Sequence, residues 1–399
     1  MRRDPQRGDV TETQVAIVGA GPAGLTLGHL LHREGIETVI LENRSREYVE
    51  ARIRAGVVEH DVADLLERSG VGERLRREGL VHGGVELQAG GERHRIAFDE
   101  LTGKSIVVYG QTEIVKDLVD ARLSSGAPLR FEADAVALRD LDSGRPRVEY
   151  TLGGERHELA ADLVAGCDGF HGISRGSIPA GVLREFAREY PFGWLGILAS
   201  VAPSSDELVY AHHERGFALL SMRSPELSRL YLQCAPDEDL AAWPDERIWE
   251  ELQTRLAVDG WTLHEGPILE KGVTPMRSYV AEPMQWGRLY LAGDAAHIVP
   301  PTGAKGLNLA IRDVQVLAEA IVEWYGSGDR ALLDAYSETC LRRVWRAEHF
   351  SWWMTTMLHR RPDGDEFDLR LQLSQLRYLR TSRIAATSLA ENYVGIERV

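Results

Sequence analysis

Residues 293–310, GDAAHIVPPTGAKGLNLA, put a carboxylate, an imidazole, a proline pair and an ammonium into one loop. The apolar run Leu289-Tyr290-Leu291 before it reads as a strand, and an apolar-periodic helix opens at Leu307. Asp294 at the C-terminal edge of a strand can hold a ligand hydroxyl. Bare backbone N–H groups at a helix start favour negative charge in whatever faces them.

A second chemical feature lies near the N-terminus, in TQVAIVGAGPAGLTLGHLLHREGIETVILENR. Gln14 to Val18 reads as a buried strand, Gly19 to Gly24 as a tight turn and Leu25 to Arg33 as a helix closed by Gly35. Thr38 to Leu41 reads as a second strand, ending in Glu42, 18 residues after Gly24. Strand, GxGxxG turn, helix and a strand-end acid together describe a dinucleotide site: Gly19, Gly21 and Gly24 admit a pyrophosphate, and Glu42 can bind ribose hydroxyls. A dinucleotide held there needs a second contact at its far end. Asp294 can hold a ribityl hydroxyl, and the helix start at Leu307 and Asn308 can face an electron-rich ring. A reduced flavin is negative on its N1–C2=O edge, so FAD explains the loop better than a nicotinamide does. No His or Cys sits in an obvious attachment context, so the FAD is expected to be noncovalent. Three further stretches fit the same site: ADLVAGCDGFHGISR (161–175), ARIRAGVVEH (51–60), a loop suited to phosphates, and VVYGQTE (107–113), read as a strand ending at Gln111.

The elements that must position these residues are bounded by bulk properties. A chain of 399 residues suggests two to three domains, and 44% hydrophobic residues can bury a large core. With 46 basic against 61 acidic residues the net charge is −15, which argues against nucleic acid or an anionic membrane surface as partner. The N-terminal MRRDPQRGDVTET lacks an apolar run and reads as a disordered leader, and no segment is apolar enough to span a bilayer. Cys167, Cys234 and Cys340 are dispersed, which points to a reducing compartment, no zinc site and hence a cytoplasmic protein. The fold expected is mixed α/β. A Rossmann-like FAD-binding domain spans 1–178, with a small substrate-side insertion near 80–105. A β-sheet substrate domain spans 179–285, and 286–399 completes the flavin site and adds a C-terminal helical region.

GAGPAG, CDG and GDAAH form the motif set of the class A flavoprotein aromatic hydroxylases, which the chain resembles. The longer stretches RIRAG, YGQTE, AGCDGFHGISR, YPFGWLG, RGFAL, FSWWMT and AENYVG resemble the 4-hydroxybenzoate 3-monooxygenase branch, and they run from Gln14 to Gly395. The resemblance implies hydroxylation of 4-hydroxybenzoate at C3 by a flavin C4a-hydroperoxide, with NADH or NADPH and O2 consumed, in a homodimer. It implies flavin contacts from Glu42, Arg52, Ile53, Arg54, Ala55, Gly56, Val57, Gln111, Asp294, Leu307 and Asn308. The substrate pocket it implies is Tyr210, Ser221, Met222, Arg223, Tyr231 and Pro301, with Tyr393 behind Tyr210, Asn308 close by and His82 at the solvent end of a proton relay. Arg54, His171 and Arg277 match proposed nicotinamide contacts.

The chemistry of those residue types agrees. A buried benzoate carboxylate needs a planar, permanently charged partner, which Arg223 supplies. Ser221 and Tyr231 can complete its hydrogen bonds, and hydroxyls at Tyr210 and Tyr393 can carry a phenolic proton away without leaving a full charge in the pocket. After Glu42 comes NRSREYVE, where Arg44 and Arg46 could bind a 2′-phosphate. Glu47 would repel one and Glu50 could pair with Arg46, so NADH is favoured. The aromatic FSWWMTTMLHR reads as an interdomain or dimer-packing helix, and PDGDEFD (362–368) as a solvated loop. A hydroxylase of salicylate or 3-hydroxybenzoate would share the flavin motifs but should lack the Tyr210, Ser221, Arg223, Tyr231, Tyr393 set. A non-catalytic protein of the same fold should lack Asp294 with Pro300-Pro301.

Overall fold

The computed structural model describes residues 10–51 and 56–395, so Arg52, Ile53, Arg54 and Ala55 lie outside the described residues. Its first sheet is built around the strand Val10–Val18, which pairs in parallel with Glu155–Gly166 on one side and Thr38–Leu41 on the other. Leu289–Leu291 adds in parallel beside Val164–Gly166. Every residue of Thr38–Leu41 is buried. Helices cover both faces of such a sheet, which is why TVIL is an unbroken apolar run and not an alternating one. The strand begins at Val10, four residues earlier than the sequence suggested, because Glu158–Ala161 extends far enough to pair with Val10–Thr13. The rest of the expected leader, residues 1–9, lies outside the described residues.

Helix Pro22–Arg33 follows the glycine turn, with proline in its first turn and Gly35 at φ +72 beyond its end. Gln111 does not end a strand. The strand stops at Val108, and Gln111 opens the helix Gln111–Ser124 after Gly110.

The second sheet runs in the order His297–Ile298, Ile268–Glu282, Arg184–Ala199, Leu227–Cys234, Ala218–Ser224, Val209–His212, Gly84–Ala89, Glu92–Ala97. Both faces are covered. One carries Leu220, Leu230 and Leu232 against the helix Asp245–Arg255 through Trp249 and Leu252. The other faces the helices Tyr336–Leu358 and Arg383–Val394, and Tyr210, Phe350 and Tyr393 share its core. At the edge of this sheet, Val280 and Tyr279 pair with His297 and Ile298. The loop of residues 293–310 is thereby stitched to the substrate-side sheet.

The acids of PDGDEFD are not a solvated loop alone. Asp365 and Asp368 form a reciprocal capping box that starts the helix Glu366–Thr381. Among the described residues no helix is long and apolar enough to cross a membrane.

Candidate active site

The glycine turn shows close packing on one side and open space on the other. Gly19 sits at φ +102, and a Cβ there would stand 2.3 Å from the Cys167 carbonyl oxygen, so the turn and the CDG strand end touch backbone to backbone. A Cβ at Gly24 would meet the Gly19 carbonyl at 2.0 Å. At Gly21 the Cβ position has nothing within 4 Å. The helix that follows has no side-chain cap and no acid in its first turn. Its N–H groups and positive end are left to a ligand anion. Glu42 is buried and accepts from the Ala20 N–H at 2.7 Å and the Arg44 N–H at 2.9 Å, which aims its carboxylate across the turn.

At the far end, Asp294 lies exposed in the turn Gly293–Ala295, with no side-chain hydrogen bond among the described residues. The turn is clamped from below by Asp313. Its carboxylate accepts from the Gly293 N–H at 3.0 Å and contacts His297 Nε2 at 2.6 Å, both side chains being almost wholly buried. Burial alone would lower the His297 pKa; the Asp313 carboxylate outweighs it and raises it. Pro301–Gly303 is a single 3-10 turn with Pro301 exposed, and Ala304 takes φ +53 to lead into the helix Gly306–Ser327, which again has no side-chain cap. Thr302 hydrogen bonds Thr355 at 2.8 Å, seating the proline turn on the Tyr336–Leu358 helix. Leu307 is half-buried at the uncapped start of the 306–327 helix, while Asn308 is buried and spends its amide on backbone: Oδ1 accepts from Glu59 N–H at 2.9 Å, and Nδ2 donates to Val57 O at 3.0 Å and Ala304 O at 2.9 Å. A Cβ at Gly56 would sit 2.3 Å from the Tyr109 carbonyl. An open Gly21 face, two uncapped helix starts and an unengaged Asp294 fit a flavin dinucleotide.

The pocket side comes from one face of the second sheet. Tyr210 stands across from Leu219, Leu219 from Tyr231, and Tyr231 from Gly196; Ser221 stands across from Arg229. A register break after Met222 ends the regular pairing, and Met222 turns its side chain into the core that holds Tyr210. Arg223 donates to the Met222 carbonyl at 3.2 Å and neighbours Tyr231. Arg229 Nε lies 3.4 Å from the Tyr231 hydroxyl. Gly196 leaves room for this, since a Cβ there would be 2.9 Å from the Arg229 guanidinium. Burial would raise the Tyr231 phenol, but the two arginines together hold it below the usual tyrosine range. Tyr210 and Tyr393 meet hydroxyl to hydroxyl at 2.5 Å, each 1% exposed. Burial raises both phenols, so the pair stays protonated at neutral pH. Phe98 stacks on Tyr393 at 4.9 Å, and Lys305 holds its carbonyl at 2.9 Å.

Comparison with known proteins decides the family. The FAD binding domain family matches residues 12–351. The chain is 49% identical over 387 residues to the p-hydroxybenzoate hydroxylase of Acinetobacter baylyi, covering 96% of each.

The chain belongs to the class A flavoprotein aromatic hydroxylases.

It is 23% identical to the 2,4-dichlorophenol 6-monooxygenase of Cupriavidus pinatubonensis over 82% of its length, but spans only 58% of that protein. The p-nitrophenol 4-monooxygenase of Pseudomonas putida has the same fold, with a TM-score of 0.84 at 20% identity over 98% of this chain and all of that one. The expected mixed α/β flavin-binding fold is therefore the fold of this hydroxylase, and FAD is its cofactor.

Not every expected residue of the hydroxylase falls where the sequence suggested. His82 is not at solvent: in the strand Leu80–His82 it is Val81 that is 69% exposed, while His82 points inward at 2%. Burial lowers its pKa. The strand period of two makes the difference. His171 and Arg277, far apart in sequence, share one ring: His171 lies edge-on to Phe170 at 5.1 Å, and Arg277 stands over it at 5.0 Å. Arg44 stands over Tyr48 at 5.1 Å. Arg46 is bound by Glu50 at 2.5 Å, the expected pair, and also by Asp120 at 2.9 Å.

Arg229, Gly196, Asp313 and Glu59 escaped the sequence reading, and Lys305, noted there as a charge in the loop, was given no partner. Arg229 had a findable signal, because it lies two residues before Tyr231 on a strand and so shares its face. Asp313 had one too, five residues after Asn308 on an apolar helix where an acid has no business without a partner.

Proposed function

We propose that this hydroxylase converts 4-hydroxybenzoate, reduced nicotinamide, a proton and O2 into 3,4-dihydroxybenzoate, oxidised nicotinamide and water. The observation that carries the reading is the convergence of Arg223 and Arg229 on Tyr231, on the sheet face that also presents Tyr210. Two guanidinium groups beside one phenol make a pocket end that favours a planar carboxylate. The hydroxyl pair Tyr210–Tyr393 at the same face suits a substrate with a phenol at its other end. The 49% identity to a p-hydroxybenzoate hydroxylase supports the same choice.

In this reading Arg223, Ser221 and Tyr231 orient the acid, and Tyr210 accepts the hydrogen bond of the substrate phenol and shares the proton with Tyr393. A phenol with its proton partly withdrawn is a more nucleophilic ring at the position ortho to oxygen. A bound flavin would supply the redox chemistry, both hydride acceptance and O2 activation. Glu42, Asp294 and the backbone around Leu307 would hold it noncovalently, and Pro301 would close the ring side. Met222 contributes its backbone carbonyl, which fixes Arg223. Asn308 positions the Val57–Glu59 segment against the 306–327 helix, and His82, being buried, would act in the relay as a neutral acceptor. His171, Arg277 and Arg54 would meet the nicotinamide coenzyme, with NADH preferred. The domain limits 178/179 and 285/286, a homodimer and a cytoplasmic location complete the proposal, the last supported by three buried free cysteines.

The test is direct. Purified yellow protein should oxidise reduced nicotinamide faster when 4-hydroxybenzoate is added and release 3,4-dihydroxybenzoate. Stimulation by salicylate or 3-hydroxybenzoate but not by 4-hydroxybenzoate would overturn the substrate assignment.

A further inference from the structure

A cavity of about 40 Å³ lies between the helices Gly306–Ser327 and Tyr336–Leu358, walled by Lys305, Arg312, Arg343, Arg346, Glu59 and Phe350. That space holds a few waters or one small oxyanion. Its wall is strongly cationic, although the chain as a whole carries −15. Lys305 is neutralised by Glu59 at 2.5 Å, and Arg312 by Asp61 at 2.9 Å. Four cations less these two acids leave two, Arg343 and Arg346. Neither makes an ion pair among the described residues, and Arg343 Nη1 is buried there with no hydrogen-bond partner. Burial lowers the pKa of Arg312, and the charge of Arg343 nearby lowers it further. Like charges drawn together around a void, with a guanidinium N–H left unsatisfied, cost stability unless an anion joins them.

We propose that this cavity is a binding site for a small oxyanion, a phosphate or a carboxylate, held by the guanidinium forks of Arg343 and Arg346. Two planar forks suit the paired oxygens of either anion better than a halide. The site is separate from the sheet-face pocket of Arg223 and Arg229 and does not depend on which aromatic acid is hydroxylated. One shared wall connects them: Lys305, which lines the cavity, also holds the carbonyl of Tyr393.

The experiment is calorimetric titration of FAD-loaded enzyme with inorganic phosphate and, separately, with acetate, at matched ionic strength. Saturable binding of one anion per chain is expected, weakened tenfold or more in the Arg343→Gln/Arg346→Gln variant, with its flavin spectrum and hydroxylation rate unchanged. Arg346 is exposed, so Arg346→Gln alone does not threaten folding and should weaken binding several-fold. The arm that binds tells phosphate from carboxylate. Absence of saturable binding in both arms, or equal affinity in wild type and both variants, overturns the site.

Discussion

The hydroxyl of Tyr210 lies 2.5 Å from that of Tyr393, with the two residues on a strand and a helix 183 positions apart. Removing one oxygen from the pair is the cleanest probe of it. Tyr393→Phe should leave substrate affinity nearly intact, because the ring keeps its packing on Phe98 and Phe350. Hydroxylation should slow by about tenfold or more as the proton path is cut. Peroxide should then be released in place of hydroxylated product. The measurement is product formed per nicotinamide oxidised; a wild-type ratio and turnover would remove the relay role.

Arg223→Ala should retain FAD but weaken 4-hydroxybenzoate by roughly 2–5 kcal/mol, the cost of a buried carboxylate that loses its charged partner. A flavin-perturbation titration reads this, and unchanged affinity would place the carboxylate elsewhere.

Arg229→Gln tests the electrostatics of the same pocket. Two arginines hold the Tyr231 phenol below its ordinary range against the opposing effect of burial. With Arg229 gone, burial regains weight and the pKa must move up. Ultraviolet difference titration at the phenolate band should show one tyrosine ionising below pH ~10 in wild type and shifting upward in the variant. An unmoved titration would show that Arg229 does not act on Tyr231.

Asp313→Asn should loosen the turn that presents Asp294 and destabilise the fold by about 3 kcal/mol, since a buried pair is broken. The pH dependence has a definite sign. Asp313 raises the His297 pKa above its unfolded value, so the pair's contribution is full below pH ~6.5 and is lost as pH rises through the raised value. The gap in melting temperature between wild type and variant should therefore narrow from pH 6 to alkaline pH. A constant gap would mean that His297 does not titrate over this range.

Coenzyme choice should follow Arg46. Held by Glu50 and Asp120, it is poorly placed to grip a 2′-phosphate. NADH should show the higher kcat/KM, and Glu50→Gln/Asp120→Asn should shift the ratio toward NADPH. These charges are exposed and screened, so the shift should be several-fold and not absolute. A tenfold advantage for NADPH in wild type would show that Arg44 and Arg46 prevail over their acidic neighbours.

Local order in the chain was enough for much of this. Strand, Gly19–Gly24, helix, second strand and Glu42 are contiguous, and each is dictated by steric freedom at glycine or by apolar periodicity over a few residues. The same holds for Asp294 at a strand end and for the i,i+4 pair of Arg46 and Glu50, which needs only one helical turn to form. Where local rules ran out, the errors were local too. Gln111 went to a helix start because Gly110 intervenes, and Val10–Thr13 became strand because a partner 148 residues away was long enough to receive it.

Tertiary structure alone decided which distant residues share a surface. Nothing in the spacing of Cys167 says that its carbonyl abuts Gly19, nor that Gly196 is empty so that Arg229 can lean on Tyr231. His82 turned inward because the pairing of Leu80–His82 with Ile106–Val108 selected which face of a short strand is buried. Asp313 found its histidine only once the helix was laid under the Gly293 turn. Sequence periodicity sets the direction of a side chain relative to its own element. Which partner waits there depends on how the elements pack, and that is settled by the burial of the whole chain.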